Sequence, residues 1–198
     1  MLLNELLKGY RIILASQSPR RKTLLEGLDI PFDVLVRDGI NEDFPVDLSK
    51  IEIPEFLARM KSENYLNLLN DKTIIITADT IVWLNNKVIG KPVDIEDAIH
   101  IIKQLSGNMH EVVTGVCLRS IDQIRLFSSI SKVWFRNLSN EEIGYYVNKY
   151  RPLDKAGAYG IQEWIGYAGI ERIEGSFYNV MGLPVQTLYN ELFEFVKR

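Results

Sequence analysis

A single cysteine, Cys117, excludes any disulfide within the chain, and a reducing, cytoplasmic compartment is the expectation. Its neighbours are apolar and no base stands near it in sequence, so it reads as inert core. The two histidines, His100 and His110, are scattered and do not make a zinc site; neither is assigned to chemistry. No apolar run approaches the ~20 residues that span a bilayer, so no membrane partner is expected. The opening MLLNELLKGYR carries Glu5 and lacks a basic leader region. It reads as a short amphipathic helix and not as a signal peptide. Positive charge is not in excess: 23 Lys and Arg stand against 26 Asp and Glu, a net charge of −3. That argues against non-specific nucleic-acid binding, while leaving room for a local basic pocket. Also absent are a GxxxxGKS/T phosphate loop, a GxGxxG turn after a strand and a GxSxG elbow.

What is present suffices for one domain over residues 1–198, with or without two lobes, and a sizeable core: 46% of the residues are hydrophobic. Arg11–Ser16 reads as a buried strand and Pro19–Leu28 as a helix. Phe32–Val36 reads as a second strand, followed by the irregular acidic loop RDGINEDFPVD. Pro54 is expected to open a helix running to Leu69, with Leu57, Met60 and Leu68 inward. KTIIITADTIVWLNNKVIGKP reads as a long strand, an Asn-Asn turn and a short return strand. Asp94 caps a helix that Gly107 stops. Two β-rich stretches follow, and Ser139–Glu142 forms a capping box for a helix to Lys149. The tract from Arg151 to Pro184 is loop-rich, with a strand near Ile170–Ile173. A last amphipathic helix covers Val185 to Lys197. The expected fold is α/β or α+β: a mixed sheet flanked by helices, with a cleft along one edge.

The seam LASQSPRRKTLL, residues 14–25, breaks an electrostatic rule. Ser18 suits the N-cap and Pro19 the first helical position. Arg20 and Arg21 then occupy the first turn, where the helix dipole disfavours cations. A bound anion would resolve the conflict, since free N–H groups, hydroxyls and two guanidiniums converge there.

Asp79 interrupts TIIITADTIVWL, a stretch otherwise almost free of charge. An ionised carboxylate there needs a partner, so it is either a structural Asp satisfied by amides or a lysine, or a functional one. Glu42 by itself is a solvated charge, and Lys91, in GKP, an ordinary surface lysine at a turn. Lys61 lies one turn after Leu57 at the edge of an apolar helix face, where snorkelling explains it as well as catalysis does. Gln162, in AYGIQE, packs a loop or reads a nucleobase edge, because an amide both donates and accepts. Thr80 is a strand residue with a hydroxyl to offer. These residues by themselves lead to an α/β protein with a polyanion pocket.

ILASQSPRRKTLLEGL, ITADTIV, GKPVDIEDAIHIIKQLSGNMHEVVTG, DKAGAYGIQ and IEGSFYNVMGLP stand in the same order as in the Maf proteins, also called septum-formation-inhibitor-like proteins or house-cleaning nucleotide pyrophosphatases. The chain resembles that family from residue 11 to 195. The resemblance implies a cytoplasmic enzyme that hydrolyses a nucleoside triphosphate to the monophosphate and pyrophosphate with a divalent metal, Mg2+ or Mn2+. It also implies an elongated α/β fold similar to that of inosine triphosphate pyrophosphatases, with a deep cleft. Ser16, Ser18, Arg20 and Arg21 match the family's phosphate-binding motif. Glu42, Lys61, Asp79 and Lys91 match its catalytic and metal-handling positions, with Glu42 and Asp79 as metal holders and Asp79 as proton acceptor. Arg20, Thr80 and Gln162 resemble the signature of the dTTP/UTP branch; in the 7-methyl-GTP branch tryptophan replaces the first arginine. Gln17, Asn41 and Ser176 depart from the family's usual residues, and Asn41 bears on metal coordination in the acidic loop. Two alternatives stand beside the enzyme of dTTP and UTP: a nucleotide-binding regulator of cell division without essential turnover, and a pyrophosphatase for a modified purine nucleotide. A homodimer is compatible with the resemblance.

Overall fold

The computed structural model describes residues 2–39 and 42–197, so Asn41 lies outside the described residues. In chain order the elements are α1 (Leu3–Leu6), β1 (Arg11–Leu14), α2 (Pro19–Glu26), β2 (Asp33–Val34), α3 (Glu52–Glu63), β3 (Thr73–Leu84), β4 (Lys87–Ile89), α4 (Ile95–Leu105), β5 (Met109–Arg119), β6 (Ile124–Phe135), α5 (Asn140–Tyr150), α6 (Trp164–Gly169), β7 (Ile170–Glu174), α7 (Phe177–Met181) and α8 (Val185–Val196). Short 3-10 turns occupy Leu66–Leu68 and Ala156–Ala158. No helix among the described residues is long and apolar enough to cross a membrane.

The apolar runs RIIL and TIII pair side by side. β1 lies parallel to β2 and to β3, with Ile13 opposite both Asp33 and Ile75. Near-continuous hydrophobic strands of this kind are covered on both faces. Among the described residues the sheet has seven strands in the order β2-β1-β3-β5-β6-β7, with β4 on β3. β4 is antiparallel to β3 and β7 antiparallel to β6, so the sheet is mixed, as the sequence suggested.

The chain divides into two compact units: Met1–Asp79, Thr114–Ser129 and Gly182–Arg198 form the first, and Thr80–Val113 with Ile130–Met181 the second. In the first unit Ile12, Ile13, Leu14 and Ile74, Ile75, Ile76 are buried, and α1 packs on α8. α3 lies directly against β5. A Cβ at Gly115 would stand 2.4 Å from the Pro54 carbonyl carbon and the Glu55 nitrogen, so only glycine allows this approach. In the second unit α4 packs on α5 and on the 3-10 turn after it, around Val82, Ile102, Leu105, Val133 and Tyr146. Asn85 and Asn86, with φ of 50° and 61°, make the tight turn between β3 and β4.

Three sequence expectations need correction. The helix assigned to Pro54–Leu69 begins at Glu52 and ends at Glu63. Ser49 and Glu52 exchange bonds at its start: the Ser49 N–H donates to Glu52 Oε2 at 2.8 Å, and the Glu52 N–H to Ser49 Oγ at 3.4 Å. Pro54 therefore falls inside the first turn, where its missing N–H costs nothing. The tract read as loop between Arg151 and Pro184 contains α6 and α7. Gly166 and Gly169 mask α6, yet Gly166 is required by packing: a Cβ there would lie 1.7 Å from the Ile161 carbonyl oxygen. The second strand is also shorter than expected, Asp33–Val34 in place of Phe32–Val36.

Candidate active site

Thr77 and Asp79 lie two apart on β3 and share a face of the strand. Thr77 Oγ1 donates to the Ala58 carbonyl of α3 at 2.6 Å, so α3 covers that face. Three residues after Ala58, Lys61 meets the carboxylate: its Nζ is 2.5 Å from Asp79 Oδ1 and 2.7 Å from Glu42 Oε1. The Lys61 and Asp79 side chains are only 15% and 12% exposed, against 46% for Glu42. One side of this cluster is thus nearly dry and the other wet. Removing one member of a buried pair leaves an uncompensated charge and costs far more than the pair contributes.

α3 is held in place from behind. Arg119 Nε donates to Ser62 Oγ at 2.7 Å, and Ser62 Oγ donates to the Arg59 carbonyl at 2.6 Å. The Cys117 thiol donates weakly to the same hydroxyl at 3.5 Å. Burial pushes the Cys117 thiol up from its ordinary value, as suits an inert core cysteine.

The serine–arginine seam folds as the sequence indicates. Ser18 caps α2 by accepting from the Arg21 N–H at 3.4 Å, and the Ser18 N–H donates to Ser16 Oγ at 3.2 Å. The Arg21 side chain leaves the helix end: Nε donates to the Gly182 carbonyl and Nη1 to the Ala78 carbonyl, both at 2.8 Å. Burial pulls the Arg21 guanidinium below its ordinary value, while Asp79 and Glu42 favour its charge and Arg20 opposes it. The conflict with the helix dipole is therefore met in part by the protein's own carbonyls and carboxylates. Gln17 ties the seam to the acidic loop, donating from Nε2 to Asp38 Oδ1 at 2.7 Å.

Ser16, Ser18, Arg20, Arg21, Glu42, Lys61 and Asp79 all belong to the first unit. Thr80, Lys91 and Gln162 belong to the second. Thr80 is half-buried on β3 and Lys91 exposed beyond β4. Gln162 Oε1 is buried and has no hydrogen-bond partner among the described residues. An orphaned buried acceptor is costly and needs a reason.

Several supporting residues escaped the sequence reading. Thr77, Ser62, Gly115 and Arg119 fix α3, and Arg119 at the end of a β-rich stretch was the one visible signal. In the second unit Lys155 is buried and lies 2.7 Å from Asp154 Oδ1 and 3.2 Å from Glu163 Oε1. Glu163 also accepts from the Tyr146 hydroxyl. Lys155 stood in full view inside DKAGAYGIQ, but nothing local distinguished it from a surface lysine.

The model of the family described as Maf-like protein matches residues 11–195. The chain belongs to the Maf family. Among its Maf relatives is the dTTP/UTP pyrophosphatase of Porphyromonas gingivalis, 55% identical over 191 residues that cover 96% of each chain. Another is the dTTP/UTP pyrophosphatase of Bacteroides thetaiotaomicron, 52% identical over 186 residues, 94% of this chain and 96% of that one. In fold this Maf chain is similar to a HAM1 protein from Coxiella burnetii, with a TM-score of 0.50 over 93% of this chain and 99% of that one. At 13% identity that likeness speaks for the fold alone.

The metal that the Maf resemblance implies can be tested against the donors present. Among the described residues no group of three or more His, Cys, Asp or Glu gathers. Glu42 and Asp79 offer carboxylate oxygens that share one ammonium. Magnesium and manganese favour oxygen donors, and magnesium commonly takes one or two carboxylates while phosphates and water complete its shell. The pair fits such an ion in donor type and in number.

Proposed function

We propose that this chain hydrolyses nucleoside triphosphates, dTTP and UTP first among them, to the monophosphate and pyrophosphate. The observation that carries the reading is Lys61 Nζ lying between Glu42 and Asp79, with the Arg21 guanidinium beside the same carboxylates. The names of the relatives point the same way.

Arg20 grips phosphate oxygens in a forked pair, Arg21, whose Nε and Nη1 hold the Gly182 and Ala78 carbonyls, adds positive charge behind it, and Lys61 and Lys91 act as point charges on the rest of the chain of phosphates. Ser16 and Ser18 keep the α2 turn in the shape that presents its N-terminus to the anion. Asp79, nearly buried and paired with Lys61, orients a water and accepts its proton as the water attacks phosphorus in line. The departing pyrophosphate is stabilised by the same cations. Glu42 and Asp79 would hold the divalent ion, Mg2+ or Mn2+, which when bound neutralises phosphate charge and favours ionisation of water.

Gln162 and Thr80 read the base. Uracil and thymine present an imide N–H beside a carbonyl. The orphaned Gln162 Oε1 accepts from the first and its Nε2 donates to the second. Cytosine offers an acceptor where the imide N–H would be, so the same amide opposes it. The lone, buried thiol suits a cytoplasmic setting.

The test is pyrophosphate release by purified protein with Mg2+ or Mn2+, given dTTP, UTP, CTP, GTP and 7-methyl-GTP separately. dTTP and UTP are expected to turn over fastest, and a chelator to abolish release. No release from any nucleotide would return the chain to the role of a division regulator. A preference for 7-methyl-GTP would return it to the modified-purine reading.

A further inference from the structure

The loop that carries Gln162 is tied at both ends to one small network. Lys155 Nζ, on a side chain only 9% exposed, lies 3.2 Å from Glu163 Oε1. The other oxygen, Glu163 Oε2, accepts from the Tyr146 hydroxyl. That hydroxyl in turn accepts from the Gly160 N–H at 3.0 Å. Residues 160 and 163 are thus fastened to a single phenol on α5, and Ile161 and Gln162 are the two residues between them. Gly160 completes the arrangement: a Cβ there would lie 2.8 Å from Glu163 Cδ and 3.0 Å from Gln162 Nε2. The Gln162 amide and the Glu163 carboxylate therefore crowd the same glycine. Gln162 and Glu163 are also chain neighbours, so fixing the Glu163 carboxylate and the Gly160 N–H confines the backbone from which the amide projects.

A buried ammonium is expensive, and a hydrophobic residue of similar volume would pack the loop at least as well. A charged anchor earns its place by holding a geometry, since a carboxylate pinned at both oxygens cannot rotate. We infer that Lys155, acting through Glu163, is a positioning residue that sets the orientation of the Gln162 amide and so the discrimination of uracil and thymine from cytosine. This rests on the reading of Gln162 as the base-reading amide. Lys155 and Glu163 themselves need not touch the nucleotide.

The experiment measures kcat/KM for UTP and for CTP in the wild-type protein and in Lys155→Met, Glu163→Gln, Tyr146→Phe, Gln162→Ala and the Lys155→Met/Gln162→Ala pair, with folding of each checked by circular dichroism. Lys155→Met and Glu163→Gln are expected to lower the UTP-to-CTP ratio about tenfold and Tyr146→Phe by less. In the Gln162→Ala background, Lys155→Met should have no further effect on the ratio, because the anchor then has nothing to orient. If Lys155→Met does not fold, Glu163→Gln and Tyr146→Phe carry the same test. An unchanged ratio in folded Lys155→Met and Glu163→Gln, with a lowered ratio in Gln162→Ala, overturns the positioning role and leaves the base reading intact. Equal losses for UTP and CTP in the anchor variants overturn it too, as the mark of a merely structural group. An unchanged ratio in Gln162→Ala overturns the base reading, and the positioning role with it.

Discussion

Lys61 and Lys155 are both nearly buried, one in each unit, and each is held by one exposed and one sheltered carboxylate. Their surroundings differ. The partners of Lys61 come from separate parts of the chain, Glu42 from the acidic loop and Asp79 from β3. A second cation, Arg21, stands near the same carboxylates. The partners of Lys155 come from a single short stretch, Asp154 and Glu163, and the sheltered carboxylate is completed by the neutral phenol of Tyr146. The first cluster gathers charge of both signs next to a serine-capped helix end, an arrangement that suits a polyanion. The second satisfies itself through hydrogen bonds and suits holding a loop. Similar ion pairs thus serve different ends according to what surrounds the buried carboxylate.

The sharpest way to break this contrast is Asp79→Asn. It should lower turnover by ~10²-fold or more with nucleotide affinity largely kept, as single-turnover and binding measurements would show. Near-normal turnover would remove the chemistry from the first cluster. Gly115→Ala comes next. Its Cβ would collide with the backbone of Pro54 and Glu55, so α3 must move. A loss of about 2 kcal/mol in urea unfolding is expected, together with reduced turnover, because α3 carries Lys61. Full activity in a destabilised variant would mean that the placement of Lys61 is more forgiving than the distances suggest.

The second unit offers a pH test. His110 is buried, with Nε2 2.7 Å from the Tyr159 hydroxyl, and burial lowers its pKa from 6.5 to about 3. As pH falls below about 6.5 the unfolded chain takes up a proton that the folded chain refuses. Stability should fall by about 1.4 kcal/mol per pH unit from this group, until the folded form itself protonates near pH 3. His110→Asn should flatten that part of the urea midpoint profile between pH 7 and 4; an unaltered slope would assign the acid sensitivity elsewhere. The smallest effect is expected from Ser18→Ala, about 1 kcal/mol of stability through loss of the α2 cap. A loss of nucleotide affinity beyond that would tie the cap directly to the anion site.

Much of the fold was legible in order of residues. Ser18, Asp94 and Ser139 cap their helices as read, accepting from the backbone N–H three residues on. The Asn-Asn turn, the strand at Ile170–Glu174 and the final helix also stand where pattern put them. The bounds of α3 differ from the pattern because Pro54 stands inside the first turn and not at its start. α6 was hidden because Gly166, which disfavours a helix in isolation, is there to let its backbone approach that of Ile161; α7, five residues long, is too short to show a helical period.

The candidate site divides along the same line. Five motifs in order were enough to place the chain in its family, and Ser18, Pro19, Arg20 and Arg21 marked a candidate anion site through local chemistry alone. Capping, turn geometry and periodicity act between residues a few positions apart, so the linear order of side chains contains them. Only the tertiary structure decided that Lys61, an unremarkable lysine at a helix edge, meets an Asp eighteen residues away and bridges it to Glu42. It likewise decided that Gly115, Thr77 and Arg119 hold that helix, and that Lys155 anchors the loop of Gln162. Ion pairing in a nearly dry setting depends on distance and solvent exclusion, and neither is defined until the elements have packed.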